Sequence, residues 1–258
     1  MQAQSSTDRP NSGQYNGRAE LTLEDFAGRL EHRLHWADIT EDQFRDGCAY
    51  AAKQGISAVL CRPEQVELAT SALAGSAVRV VTGLAFHDPN APVRSERDLA
   101  TEAARMVELG VDEVSLLAAP GAVAEATTDR LLEQVVAVQS AVRDADVTVR
   151  VALNAEEMTN EQVATTCGRL AASGVHAVQG GAIRGGKVGF GRIELMRDAL
   201  PTPILLHWAQ PVTSVETILV CIAHGIDRFI GDTEALMTSA RHSTRIGPLT
   251  VPKAGLDF

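Results

Sequence analysis

The sequence predicts a single (β/α)8 TIM barrel of the parallel α/β class. Three observations carry this. Short β-rich apolar runs alternate with amphipathic helical stretches along the chain. Four segments repeat one phrase, a helix end, a glycine and a new strand: K-Q-G-I-S-A-V, E-L-G-V-D-E-V, A-S-G-V-H-A-V and A-H-G-I-D-R-F. The glycine permits a left-handed cap, and the β-branched residues that follow enter a sheet. The composition, 45% hydrophobic but only 4% aromatic over 258 residues, is that of buried parallel strands under helices. A barrel of this kind takes about 250 residues. A doubly wound open sheet is the runner-up, but no G-x-G-x-x-G follows the first strand.

Taken in order, the predicted strands are Leu34–Trp36, Ser57–Cys61, Val78–Ala85, Glu113–Ala118, Thr148–Leu153, Ala177–Gly181, Pro203–Trp208 and Arg228–Gly231. The predicted helices are Thr40–Lys53, Ser95–Leu109, Thr127–Arg143, Thr159–Ala172, Arg192–Ala199, Ser214–His224 and Glu234–Arg241. Thr40 reads as an N-cap with Glu41 and Asp42 in the first turn, Ser95 as a second cap, and T-N-E-Q from Thr159 as close to a capping box. The polar stretch 1–19 reads as a disordered leader without the apolar segment of a secretory signal. The barrel is expected over 20–241, and 242–258, rich in Pro, Gly and Thr, reads as a tail.

A formal net charge of −10 argues against nucleic acid and against an anionic membrane surface. No apolar run reaches the roughly 18 residues of a spanning helix. Cys48, Cys61, Cys167 and Cys221 are widely spaced with no CxxC pair, and read as reduced structural cysteines of a cytoplasmic protein.

Ten strings, in order and spacing, carry a family resemblance. They are E-H-R-L at 31–34, T-E-D-Q at 40–43, S-A-V-L-C-R-P-E-Q-V at 57–66, V-R-V-V-T-G-L-A-F at 78–86 and D-E-V-S-L-L at 112–117. V-T-V-R-V-A-L-N at 147–154, E-M-T at 157–159, G-V-H-A-V-Q-G-G at 174–181, P-I-L-L-H-W-A at 203–209 and I-D-R-F-I-G-D-T at 226–233 follow. Together they resemble the deoxyribose-phosphate aldolases over roughly residues 30–235. The resemblance implies a barrel that binds a small-molecule substrate, needs no cofactor or metal and forms a homodimer. It also implies Schiff-base aldol chemistry, with a lysine on the sixth strand, an aspartate on the fourth, a second lysine on the seventh, and phosphate-binding turns after the seventh and eighth.

The chain departs from that pattern where the chemistry lies. Gln179 stands at the Schiff-base lysine position and Ser115 at the aspartate position. His207, or Leu206 in a register shifted by one, stands at the second lysine. Gln210-Pro211 replaces the first glycine turn, and Asp232 in Gly231-Asp232-Thr233 would repel a phosphate dianion.

The chain has three lysines, Lys53, Lys187 and Lys253. Only Lys187, beside Arg184 in a glycine-rich loop, falls on the face where barrel active sites sit. It is a candidate imine lysine or substrate contact, or a solvated loop residue. His207 is the candidate general acid/base, since an ordinary histidine titrates near neutrality. His207 could equally be a packed residue, because which of His207 and Trp208 faces the barrel depends on register. His87 and Asp88 follow the third strand as a substrate contact or a simple turn, and a His35/His87/His207 metal site is imaginable but lacks a short ligand motif. Arg150 and Asn154 share one face of the fifth strand as substrate-binding candidates. A buried arginine needs an acidic partner, from the protein or from a substrate carboxylate.

Three functions follow. The first is a divergent lyase-like enzyme acting on a small non-phosphorylated carbonyl compound by acid/base catalysis through His207, Gln179, Ser115 and Lys187, with specialised biosynthesis as its candidate setting. The second is an inactive relative that binds a metabolite or a protein. The third is a Schiff-base aldolase that uses Lys187.

Overall fold

The structure, a computed structural model, describes residues 19–84, 94–118, 125–181, 189–212 and 214–253. Eight parallel strands close into one barrel: β2 (Leu30–Arg33), β3 (Ala58–Cys61), β4 (Arg79–Leu84), β5 (Glu113–Leu117), β6 (Thr148–Ala152), β7 (Ala177–Gly181), β8 (Leu205–Ala209) and β9 (Arg228–Gly231). Around them lie α2 (Glu41–Gln54), α3 (Val66–Ala72), α4 (Glu96–Glu108), α5 (Glu125–Ala141), α6 (Asn160–Ala172), α7 (Phe190–Ala199), α8 (Val215–Ala223) and α9 (Thr233–Thr244). The predicted fold class is correct.

Local signals place these elements. Thr40 and Thr159 each close a full capping box, with Gln43 and Gln162. Ser95 accepts from the Asp98 amide at the start of α4. The glycines of the four repeated phrases, Gly55, Gly110, Gly174 and Gly225, all have positive φ. They turn the chain from the end of a helix into the next strand.

Outward-facing strand residues such as Val59, Val80, Val114, Val149, Val178 and Trp208 join the helices in one apolar core. A smaller cluster, Ala58, Leu60, Val81 and Ile230 with Ala209, lies inside the barrel. Gly181 ends β7 at φ 103°, and a Cβ there would lie 2.1 Å from the Ala209 carbonyl oxygen. Gly181→Ala is expected to destabilise by about 2–3 kcal/mol in urea unfolding, from a left-handed backbone and a backbone clash that no rotamer relieves. An unchanged midpoint would refute this account of the β7–β8 approach.

Three boundaries differ from expectation. The first barrel strand is Leu30–Arg33 rather than Leu34–Trp36. The apolar cue of Leu34 and Trp36 marks the segment beyond the strand, while the strand itself carries Glu31, His32 and Arg33. Helix α3, preceded by a 3-10 turn at Pro63–Gln65, lay in a stretch without an assigned element; it is seven residues long. Of the region read as a tail, the described part continues α9 to Thr244 and forms β10 (Leu249–Val251). β10 pairs antiparallel with β1 (Ala19–Leu21), which leads through α1 (Leu23–Ala27) into β2. Leu21, Leu249 and Val251 are buried there. Of the leader expected over 1–19, residues 1–18 lie outside the described residues and Ala19 opens β1.

Candidate functional site

Period-two alternation aims Glu31, Glu113, Ser115, Arg150, Gln179, His207 and Arg228 into the barrel. This resolves the register at β8. His207 faces inward and is fully buried, whereas Trp208 packs outward, near Gly180 and Met196, and donates its indole N–H to Gln210 Oε1 at 2.9 Å.

Arg150 is the hub of the interior. Its Nη1 and Nη2 donate to the two oxygens of Glu31, at 2.8 and 3.1 Å, and its Nε donates to Ser115 Oγ at 3.1 Å. Nη1 also lies 3.1 Å from Glu113 Oε1 and 3.1 Å from His207 Nδ1. Arg228 Nη1 closes the ring from below, donating to Glu31 Oε2 at 3.2 Å and Glu113 Oε2 at 3.0 Å. Two buried guanidiniums therefore balance two buried carboxylates, with the partly exposed Arg79 adding a third positive charge 3.7 Å from Glu113 Oε2. The acidic partner expected for Arg150 is protein.

The electrostatics follow from this closure. Burial alone would raise the Glu113 carboxyl, but the permanent charges of Arg228, Arg150 and Arg79 outweigh it and hold the group below the usual carboxylate range. Burial, reinforced by Arg228 and Arg150, pushes His207 well below its ordinary value despite Glu113. His207 is therefore neutral at physiological pH, which corrects the expectation of a histidine titrating near neutrality. Glu31, Glu113 and His207 place their ligand atoms within 4.8 Å of one another. Both carboxylates are already paired with arginines, so this donor set suits the guanidiniums better than a divalent cation.

Two polar atoms of this cluster, His207 Nε2 and Glu113 Oε1, are sealed from solvent without a hydrogen-bond partner among the described residues. Gln179, 8% exposed, is the register neighbour of His207.

Two further sequence candidates, Asn154 and Asp232, sit on the rim. Asn154 lies past the end of β6, at the start of a 3-10 turn (Ala155–Glu157), and its Oδ1 is also sealed, without a hydrogen-bond partner among the described residues. Asp232 caps α9, accepting from the Ala235 amide at 3.1 Å. A carboxylate of the chain thus already occupies that helix N-terminus. Asp232 also lines a rim cavity of about 810 Å³ with His32, Arg33, Trp36, Asp38 and Tyr50. His32 Nδ1 lies 2.7 Å from Thr233 Oγ1, and burial lowers this histidine to about 4. Burial likewise lowers His35, stacked on Trp36, to about 4. Lys187, Arg184 and His87 lie outside the described residues.

The structure thus brings His207, Ser115 and Arg150 together, with Gln179 beside them, and leaves Asn154 and Asp232 on the rim. Sequence reasoning missed Glu31, Glu113 and Arg228. Glu113 was findable, since it shares a strand face with Ser115. Glu31 was hidden by the misplaced first strand.

No family model matches the chain. It is 33% identical over 142 residues to deoxyribose-phosphate aldolase 1 of Cutibacterium acnes, an alignment covering 55% of this chain and 63% of that protein, less than two thirds of its length. It is 27% identical over 209 residues to a deoxyribose-phosphate aldolase of Methanothermobacter thermautotrophicus, covering 80% and 91%. In fold it matches a Coccidioides immitis chain crystallised under the name deoxyribose-phosphate aldolase, with a TM-score of 0.76, 21% identity and 88% of each chain covered. The tetrameric deoxyribose phosphate aldolase of Aeropyrum pernix follows at 0.71 and 16%, covering 87% and 92%. In sequence and in fold, then, this chain is a relative of the deoxyribose-phosphate aldolases.

Proposed function

We propose that the chain is an aldolase-superfamily enzyme that acts on a small non-phosphorylated carbonyl compound without forming an imine. One observation carries this reading. Gln179, which by the resemblance stands where that family has its Schiff-base lysine, points into the barrel beside His207, and no barrel strand among the described residues bears a lysine. Glutamine and neutral histidine donate hydrogen bonds to a carbonyl oxygen but form no covalent adduct with it. The Asp232 cap at α9 supports a substrate without phosphate. Acid/base catalysis in this reading is hydrogen-bond polarisation of the carbonyl from a neutral site.

The test is borohydride trapping with small aldehydes and keto acids, read by intact mass. The expected result is no adduct. An adduct mapping to Lys187 would overturn the proposal in favour of a relocated imine lysine. The complete burial of Arg150 and His207 favours a second reading, a non-catalytic relative that binds a metabolite or a protein. Turnover of any carbonyl compound in the same panel would exclude it.

The proposal includes a homo-oligomer, a dimer by family resemblance. It also places the chain in the cytoplasm, supported by four free, buried cysteines. No helix among the described residues is long and apolar enough to cross a membrane.

A further inference from the structure

Arginine is a hydrogen-bond donor with no acceptor. Arg150 Nη1, 3.1 Å from His207 Nδ1, can therefore only donate to it. Nδ1 accepts, and the single proton of the neutral ring must sit on Nε2. An imidazolium would set an N–H against the Arg150 N–H and add a further cation beside Arg150, Arg228 and Arg79, which already more than match the charge of Glu31 and Glu113. The other tautomer, with its proton on Nδ1, would lose the Arg150 bond and find Glu113 Oε1 only at 4.0 Å. That leaves Nε2–H as a donor inside a fully buried side chain, without an acceptor among the described residues. A sealed donor left unsatisfied costs about 1–3 kcal/mol, so its acceptor is expected to come from outside this set.

We propose that His207 Nε2–H is a fixed, neutral hydrogen-bond donor for the carbonyl or carboxylate oxygen of a small bound molecule, and that Arg150 is the positioning residue that sets this tautomer. The inference rests on the imine-free reading and deepens it by naming the group that polarises the substrate. A neutral imidazole suits this role because it donates without giving up its proton in the ground state. Arg150 is itself held on three sides. Glu31 takes both terminal nitrogens and Ser115 takes Nε, so its fork cannot turn away from Nδ1. The charged groups facing His207 are Glu31 on β2, Arg79 on β4, Glu113 on β5, Arg150 on β6 and Arg228 on β9.

Nitrogen-15 NMR of the full chain tests the tautomer. The long-range proton–nitrogen pattern of His207 should show Nε2 protonated and Nδ1 bare, unchanged between about pH 6 and pH 8. A proton on Nδ1, or on both nitrogens, overturns the inference while leaving the imine-free reading standing. In Arg150→Met the ring should lose its single tautomer; an unchanged pattern would show that Arg150 does not set it. Should that variant fail to fold, the wild-type pattern still decides. A third arm titrates pyruvate and glycolaldehyde. A saturable shift of the Nε2–H resonance supports a carbonyl acceptor. No shift, with the tautomer as expected, means that water satisfies the donor and overturns the ligand half of the proposal. Failure of the imine-free reading shows separately, as a borohydride adduct.

Discussion

Arg150→Leu is expected to lower the unfolding free energy by about 4 kcal/mol. The side chain is fully buried, and its removal strands two carboxylates. Arg228 remains bonded to one oxygen of each, at 3.2 and 3.0 Å, but Glu31 Oε1 and Glu113 Oε1 keep no charged partner. Breaking a buried ion pair from one side costs far more than the pair contributes net, because a desolvated charge is left uncompensated. Adding Glu31→Gln to Arg150→Leu removes one of those charges and should recover part of the loss. The measurement is urea unfolding of wild type, single and double variants at about pH 7.5. A single-variant loss below about 1 kcal/mol would mean that the interior ring is relaxed by water and is not the closed network described.

Acid is the second large effect. His32 is lowered to about 4 by burial, and an unfolded histidine titrates near 6.5. Below about pH 6.5 the unfolded chain takes up a proton that the folded chain refuses until about pH 4. Stability is therefore constant with respect to this group above pH 6.5 and falls as pH drops through that window. At about pH 5 His32 alone accounts for about 2 kcal/mol of lost stability. His35 and His207 act in the same direction. Glu113 does not contribute here, because a depressed carboxyl loses its share only below the ordinary carboxylate range. Urea midpoints measured from pH 7.5 down to 4.5 should drop steeply below about pH 6.5, with a shallower slope in His32→Gln. A flat profile to pH 5 would contradict the burial of these rings.

The barrel was legible because its signals are local. Each glycine of the repeated phrases and each Thr or Ser cap fixes a turn with residues a few positions apart, and the structure realises them at Gly55, Gly110, Gly174, Gly225, Thr40 and Thr159. The interior was less legible because it is assembled from residues far apart in sequence. Arg150 announced a need for an acidic partner, yet nothing near it in the chain says that Glu31, 119 positions away, supplies it. The first strand was misplaced for a related reason. Barrel strands are normally apolar, and β2 devotes its inward positions to Glu31 and Arg33. His207 was identified but its chemistry was not, since its depressed basicity comes first from burial inside the barrel and then from Arg228 and Arg150 on other strands.

The short ribbon of Ala19–Leu21 against Leu249–Val251 has a consequence for the order of assembly. Its two strands border nearly the whole described chain, and the loop it closes is among the longest this chain can make. Loop closure of that span gains nothing until the intervening units have compacted and brought the strands together. The ribbon is therefore a late event, a latch that engages on a barrel already wound. Its three residue pairs report on the completeness of the circle rather than on any one unit within it.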